Sequence, residues 1–232
     1  MNPDDLAAYG LAWARVAPAI AIVPAFGLRA LPVSARGVLG LALAAAIWPA
    51  LAPIAAHRDV PWILQALEQI ILGLPVALAA AIPLWAATMA GGLVDSLRGA
   101  QEGPGLAVVE GRASSFGILL SLVASVVFLS TGGPARIASA LADTSLSLEA
   151  HPLLGAANAL VAGIGLAVAI GGPLLAAAVV LELAFAFIAR AASPAQVHAL
   201  LAPLRALGLL AIAAVVLERI ASLIALAVRN GA

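Results

Sequence analysis

Long apolar runs separated by short polar breaks set the pattern of this chain. The first run extends from about Leu6 to Phe26, behind Asp4 and Asp5, whose charge suits a helix N-terminus. The second covers 37–56 and the third 62–92, with Pro75 and Pro83 inside the third. A polar stretch, DSLRGAQEGPGLAVVEGRAS (95–114), clusters Gly, Pro and charge and predicts the longest loop. A fourth run spans 116–131. Residues 134–150, PARIASALADTSLSLEA, have an amphipathic pattern and predict a segment that lies flat or caps a bundle. The apolar stretch 153–192 follows, about forty residues long, where one bilayer crossing needs only about 20. A kink or hairpin is therefore expected at Gly171-Gly172-Pro173. The last run covers 204–228.

Strict two-residue alternation is missing, so these runs predict helices and not the strands of a membrane barrel. In lipid, only helices and closed barrels satisfy their own backbone. The expected fold class is all-α: one domain, 1–232, a multi-pass membrane protein of bent, Pro/Gly-kinked helices. Composition agrees. Hydrophobic residues make up 64% of the 232 positions, charged residues 9%, and mean hydropathy is +1.15. A soluble domain carries about 25% charged residues, so this chain cannot cover a water-facing surface. Small residues such as Gly155, Gly163 and Ala167 have two readings of equal weight. One is close helix approach; the other is a compositional bias toward Ala, a strong helix former. No internal repeat is visible, which weakens an inverted-repeat transporter. The acidic start MNPDD lacks the basic region of a signal peptide, and the first run is expected to stay in the mature chain.

Charge narrows the functions further. Eleven basic residues, all Arg, balance eleven acids. No basic field for nucleic acid exists. The chain has no Cys, which removes disulfides, thiolate nucleophiles and Cys-ligated metals. His57, His151 and His198 lie far apart without helical partner spacing, so no metal site is expected. Phosphate-loop, GxSxG and HExxH patterns are missing, so no catalytic and no cofactor-binding residues are assigned. Ser114-Ser115 reads as a helix cap, not a nucleophile. The first and third breaks carry Arg29, Arg36, Arg98 and Arg112, which places those breaks in the cytoplasm by the positive-inside rule.

The sharpest signals are ionisable groups inside apolar runs: Arg15, Glu68, Glu182, Arg190 and the pair Glu218-Arg219. A lone charge at the bilayer centre costs at least about 2.5–3.5 kcal/mol, so each needs an interface, water or a partner. The functional reading is a proton or ion relay. The structural reading, favoured here, is a pair or hydrogen bond that fixes helix register. Arg15, Arg205 and Arg219 are candidate partners for Glu182. Glu68, Glu218 or another subunit are candidates for Arg190.

Four blocks of sequence then stand out together: PAFGLRALPVSARGVLGLALAAAIWP (24–49), LEQIILGLPVAL (67–78), MAGGLVDSLRG (89–99) and ELAFAFIARAASPAQV…APLRALGLL (182–210). FLSTGGPARIASALADTSLSL (128–148) is a weaker fifth. In this order they resemble the FliR/SctT family, the export-gate membrane proteins of flagellar and virulence-type type III secretion. The chain departs from that pattern at Pro194-Ala195-Gln196-Val197-His198 and at Phe185-Ala186-Phe187. The resemblance implies no enzymatic activity. It implies helical hairpins packed into a hetero-oligomeric helical assembly in the bacterial inner membrane, which unfolded protein substrates cross. The implied partners are FliP/SctR-like, FliQ/SctS-like and FlhB/SctU-like subunits. It also implies that Glu182 and Arg190 face neighbouring helices or subunits, with a hairpin turn at Ser193-Pro194; the expected helix or subunit interface residues are Arg15, Glu68, Asp95, Glu182, Arg190, Pro194, Gln196 and Arg205. The competing reading is a multi-pass small-molecule permease or proton-coupled transporter using Glu68 and Glu182. A membrane-embedded enzyme comes last.

Overall fold

The computed structural model describes residues 3–26, 32–55, 60–97, 115–143, 152–191 and 198–230. They form seven helices: α1 (Pro3–Ile22), α2 (Val33–Ala55), α3 (Trp62–Leu97), α4 (Ser115–Ser130), α5 (Gly133–Ala142), α6 (Pro152–Ala191) and α7 (His198–Asn230). No strand occurs among the described residues. The all-α class read from the sequence therefore holds. Four helices are long and apolar enough to cross a membrane, and the bent pair α4–α5 brings the number to five. At 1.5 Å per residue, α3 and α6 are about 54 and 60 Å long. Both exceed the hydrocarbon core of about 30 Å, so they must tilt, bend or project from it.

Packing groups the chain into two compact units. One holds Met1–Leu84, Ser125–Gly163 and Ala225–Ala232; the other holds Trp85–Ala124 and Ile164–Ile224. The core of the first unit is built on α1. That helix is buried over most of its circumference, at Ala8, Leu11, Ala12, Ala14, Arg15, Val16, Ala19 and Ile20, with Trp13 and Ala21 left exposed. Ala44, Ile47 and Leu51 of α2, Leu72 and Ala77 of α3, and Phe128, Ile137 and Leu141 of α4 and α5 complete this interior. Trp62 anchors the start of α3 on α1. Its indole Nε1 donates to the Ala7 carbonyl (3.3 Å), and its ring lies over Gly10. In the second unit, Gly208 of α7 meets Leu181 of α6. These positions are equally distant in sequence from the α6–α7 connection, which is the register of an antiparallel hairpin. The connection itself, with Pro194 and Gln196, lies outside the described residues.

Two expectations change in detail. The loop expected at 95–114 starts later, because α3 continues through Asp95 to Leu97; the remainder, 98–114, lies outside the described residues. The chain also does not turn back at Gly171-Gly172-Pro173. Helix α6 runs through all three. Pro173 removes one backbone hydrogen bond but leaves the neighbouring ones intact, and a membrane helix tolerates that loss. Gly171 acts as a packing residue: a Cβ there would lie 3.3 Å from Leu93 of α3.

Gly171 continues a stripe. Within the first unit, Gly155 faces Pro75 and Gly163 faces Ile82, so α6 follows α3 in the same direction. At Gly163 a Cβ would collide with the Ile82 side chain, whereas Gly165 has nothing within 4 Å. Close approach is thus the reason for glycine at 163. Gly163→Val is expected to destabilise the chain by about 1–3 kcal/mol through overpacking. Gly165→Val should melt within a degree or two of the parent. Thermal unfolding of the chain in detergent checks both, and equal melting of the two variants would refute the assignment.

Candidate functional site: a buried arginine and a capped helix junction

A guanidinium carries five donors and is always charged, so burying one demands acceptors. Arg15 is only 2% exposed, in the middle of α1. Its Nη1 donates to the carbonyl oxygens of Leu141 (3.0 Å) and Asp143 (3.3 Å). Both lie at the C-terminal end of α5, where the last carbonyls of a helix have no intrahelical partner and the macrodipole is negative. A cation delivered from another helix satisfies them. The acids that act on Arg15 are Asp143 first and Glu68 second. Glu68, on α3, is half-buried. Five residues farther along α3, Gly73 lets α1 come so close that an added Cβ would strike the Arg15 carbonyl group. Arg15, Glu68, Gly73 and the end of α5 thus meet in one place, holding three helices together.

The sequence singled out Arg15 and Glu68 as charges needing partners. It offered Arg15, Arg205 or Arg219 to Glu182; in the structure Arg15 donates to the backbone carbonyls of Leu141 and Asp143. The backbone carbonyls that accept from Arg15 left no trace in the sequence, because every residue carries one. Gly73 was visible only as a member of a motif block.

Asp95 builds a second junction, in the other unit. It is 1% exposed near the end of α3, and its Oδ2 accepts the Phe116 N–H at 2.7 Å. Phe116 is the second residue of α4, whose first N–H groups have no acceptor of their own. A carboxylate there also favours the positive end of the α4 dipole. Beside it, Gly91 packs on the α4 backbone: a Cβ would stand 2.6 Å from Gly117 Cα and from the Phe116 carbonyl oxygen. The sequence expected Ser114-Ser115 to cap this helix. Ser114 lies outside the described residues, and the acceptor that the structure supplies to Phe116 comes from Asp95, 21 positions away.

The remaining site candidates lie apart from these junctions. Glu182 and Arg190 are both exposed on α6. Glu182 is not an isolated charge, and Arg190 sits in the last turn of α6, where a cation opposes the negative helix end. Glu218 and Arg219 are exposed on α7. Of Arg205 only the backbone is described, in α7, and Pro194 and Gln196 lie outside the described residues. Around Glu182 and Arg190, α6 presents Val179, Val180, Leu183, Phe187 and Ile188 unburied. Only 22% of the apolar span of α6 is buried inside the chain, against 56% for α3. So α3 is the more buried of the two, although its first turns expose Ile63, Leu64 and Leu67, and α6 offers apolar surface that only lipid or another helix can cover.

Buried helix junctions and long uncovered apolar helices are what a subunit of a membrane assembly needs, and known proteins point the same way. A stretch of 77 residues is 38% identical to the secretion system apparatus protein SsaT of Salmonella typhimurium. It covers 33% of this chain and 30% of that relative, so the match spans less than a third of the relative's length. The family model described as bacterial export proteins, family 1, matches residues 6–230. That is the family, FliR/SctT, which the motif blocks resemble. The chain, by the extent of that match, belongs to the bacterial export proteins, family 1.

Proposed function

We propose that this chain is a structural, channel-forming subunit of a type III protein export apparatus in the bacterial inner membrane. The observation that carries the reading is the family match over 6–230 on a chain whose long helices can cross a membrane four to five times. Its role is architectural and involves no catalysis. Buried junctions at Arg15 and Asp95 keep the helices in register, and the uncovered faces of α6 and α7 pack against FliP/SctR-like, FliQ/SctS-like and FlhB/SctU-like subunits. Unfolded protein substrates pass through the assembly. Membership in an export family leaves the permease reading without support.

The test is co-production of the tagged chain with those candidate subunits, followed by purification in mild detergent. A stable complex is expected, together with restored secretion when the chain is returned to a strain lacking its gene. A monodisperse, heat-stable monomer that ignores the other subunits would count against the proposal.

Glu182 and Arg190 hold subunit register in this reading. On an ideal helix they are eight residues and about 12 Å apart along the axis, so they do not pair directly. Glu182→Gln keeps the shape and is expected to reduce complex yield less than Glu182→Ala, with secretion following yield in both. Normal yield with no secretion in Glu182→Gln would indicate a proton-coupled role instead, because an amide cannot cycle a proton.

A further inference from the structure

Arg15 Nε on α1 is a buried donor, and Gln69 Oε1 on α3 is a buried acceptor; neither has a hydrogen-bond partner among the described residues. Their residues are 2% and 8% exposed. A buried polar atom left unpaired is costly, so each calls for a partner. The packing of α1 on α3 brings the two together. Trp62 lies over Gly10 and donates to the Ala7 carbonyl, and Gly73 abuts the Arg15 backbone. Later residues of α3 thus meet later residues of α1, and the two helices run in the same direction. On an ideal helix Trp62, Gln69 and Gly73 fall within about 40° of one another. Pro75, which meets Gly155 of α6, is on the opposite side of α3. Gln69 therefore faces α1, between two contacts with it. It precedes Gly73 by one turn, about 6 Å, and is level with the turn of α1 before Arg15. A helical side chain leans toward the N-terminus of its helix, which carries Arg15 Nε to that same level.

The two atoms are complementary but do not bond each other directly. The link needs a small molecule that accepts from an N–H and donates to a carbonyl oxygen. We infer that one water molecule is bound between α1 and α3, accepting from Arg15 Nε and donating to Gln69 Oε1. Two polar partners are the minimum that holds a buried water. The buried residues beside them in sequence, Leu11, Ala12 and Leu72, are apolar and add no competing side-chain group. Through this water Gln69 is a positioning residue for Arg15. The Nη1 edge of the guanidinium is held by the α5 carbonyls of Leu141 and Asp143, and the Nε edge by α3. A planar group fixed at both edges cannot turn, so the water completes the three-helix junction.

Solid-state NMR on the isotope-labelled 232-residue chain in lipid bilayers, with any co-purifying subunits retained, tests this. The Arg15 Nε–H signal is reached by sequential assignment from the α1 backbone, and magnetisation is then transferred from water at short mixing times. Transfer to Arg15 Nε–H is expected, while the equally buried backbone amides of Ala12 and Val16 receive none. Gln69→Leu should abolish the transfer, because the water loses its acceptor. Gln69→Glu keeps an acceptor of the same length and should retain it. Gln65→Leu is the control: Gln65 is buried on the same helix, but its Nε2 donates to Val60 O at 2.6 Å, so the transfer should persist. The parent spectrum decides the matter even if a variant fails to fold. No transfer to Arg15 Nε–H in the parent, or a contact of Nε–H with Gln69 Cδ at direct hydrogen-bond range, would overturn the proposal. So would transfer that survives in folded Gln69→Leu.

Discussion

Replacing Gly73 by alanine is expected to lower the melting temperature of the chain by about 4–8 °C, the shift that about 2 kcal/mol produces in a chain of this size. The reason is the atom that an added Cβ meets. At Gly73 it is the carbonyl of Arg15, whose carbon would stand at 3.1 Å and whose oxygen would be closer still. A side chain can rotate away; a helix backbone cannot, so α1 and α3 must separate along their whole contact. Overpacking of this kind costs about 3 kcal/mol at the upper end. Alanine gains about 1 kcal/mol in helix propensity, which offsets part of it. Gly37→Ala isolates that gain, because nothing lies within 4 Å of its Cβ position. It should melt at or above the parent temperature. If both variants melt alike, α1 and α3 do not meet at Gly73.

The second large effect is expected at Asp95. Asp95→Ala removes the carboxylate that accepts from the Phe116 N–H at the α3–α4 junction, and leaves that part-buried donor without it. An unmade buried hydrogen bond costs about 1–3 kcal/mol, and the lost attraction to the α4 dipole adds about 0.3–1 kcal/mol. Asp95→Asn keeps an acceptor oxygen in place and should recover most of the loss. Hydrogen exchange of the α4 amides, measured with the melting temperature, separates this from a general effect. The first turn of α4 should exchange faster in Asp95→Ala and return toward the parent in Asp95→Asn. Unchanged exchange there would show that Asp95 does not cap α4.

Both predictions rest on contacts that the sequence could not reveal. Its legible part was the one governed by local rules. Apolar runs of bilayer length, low charge and missing alternation led to an all-helical membrane fold, because a backbone in lipid must bond within its own segment. The ordered motif blocks led to the family. Arg15, Glu68 and Asp95 were recognisable as costly groups that must have partners, because the cost of burying charge belongs to the residue type.

The identity of each partner was decided only by the tertiary structure. Arg15 is held by two backbone carbonyls of α5, and carbonyls are the same at every position of a sequence. Phe116 N–H is satisfied from another helix, by Asp95 21 positions away, which no local signal at the start of α4 could reveal. Gly171-Gly172-Pro173 pointed to a kink or hairpin because glycine and proline break isolated helices. Helix α6 continues through them, so the chain makes no hairpin there, and Gly171 meets Leu93. Composition left Gly155 and Gly163 undecided between close packing and bias; the neighbours opposite decide it, since a Cβ at Gly163 would collide with Ile82, whereas at Gly155 it would make only ordinary contact with Pro75 and at Gly165 it would face open space. Local sequence determines which segments become helices and which groups need a partner. Which helix provides it depends on residues far apart in the chain meeting, and that is settled by packing.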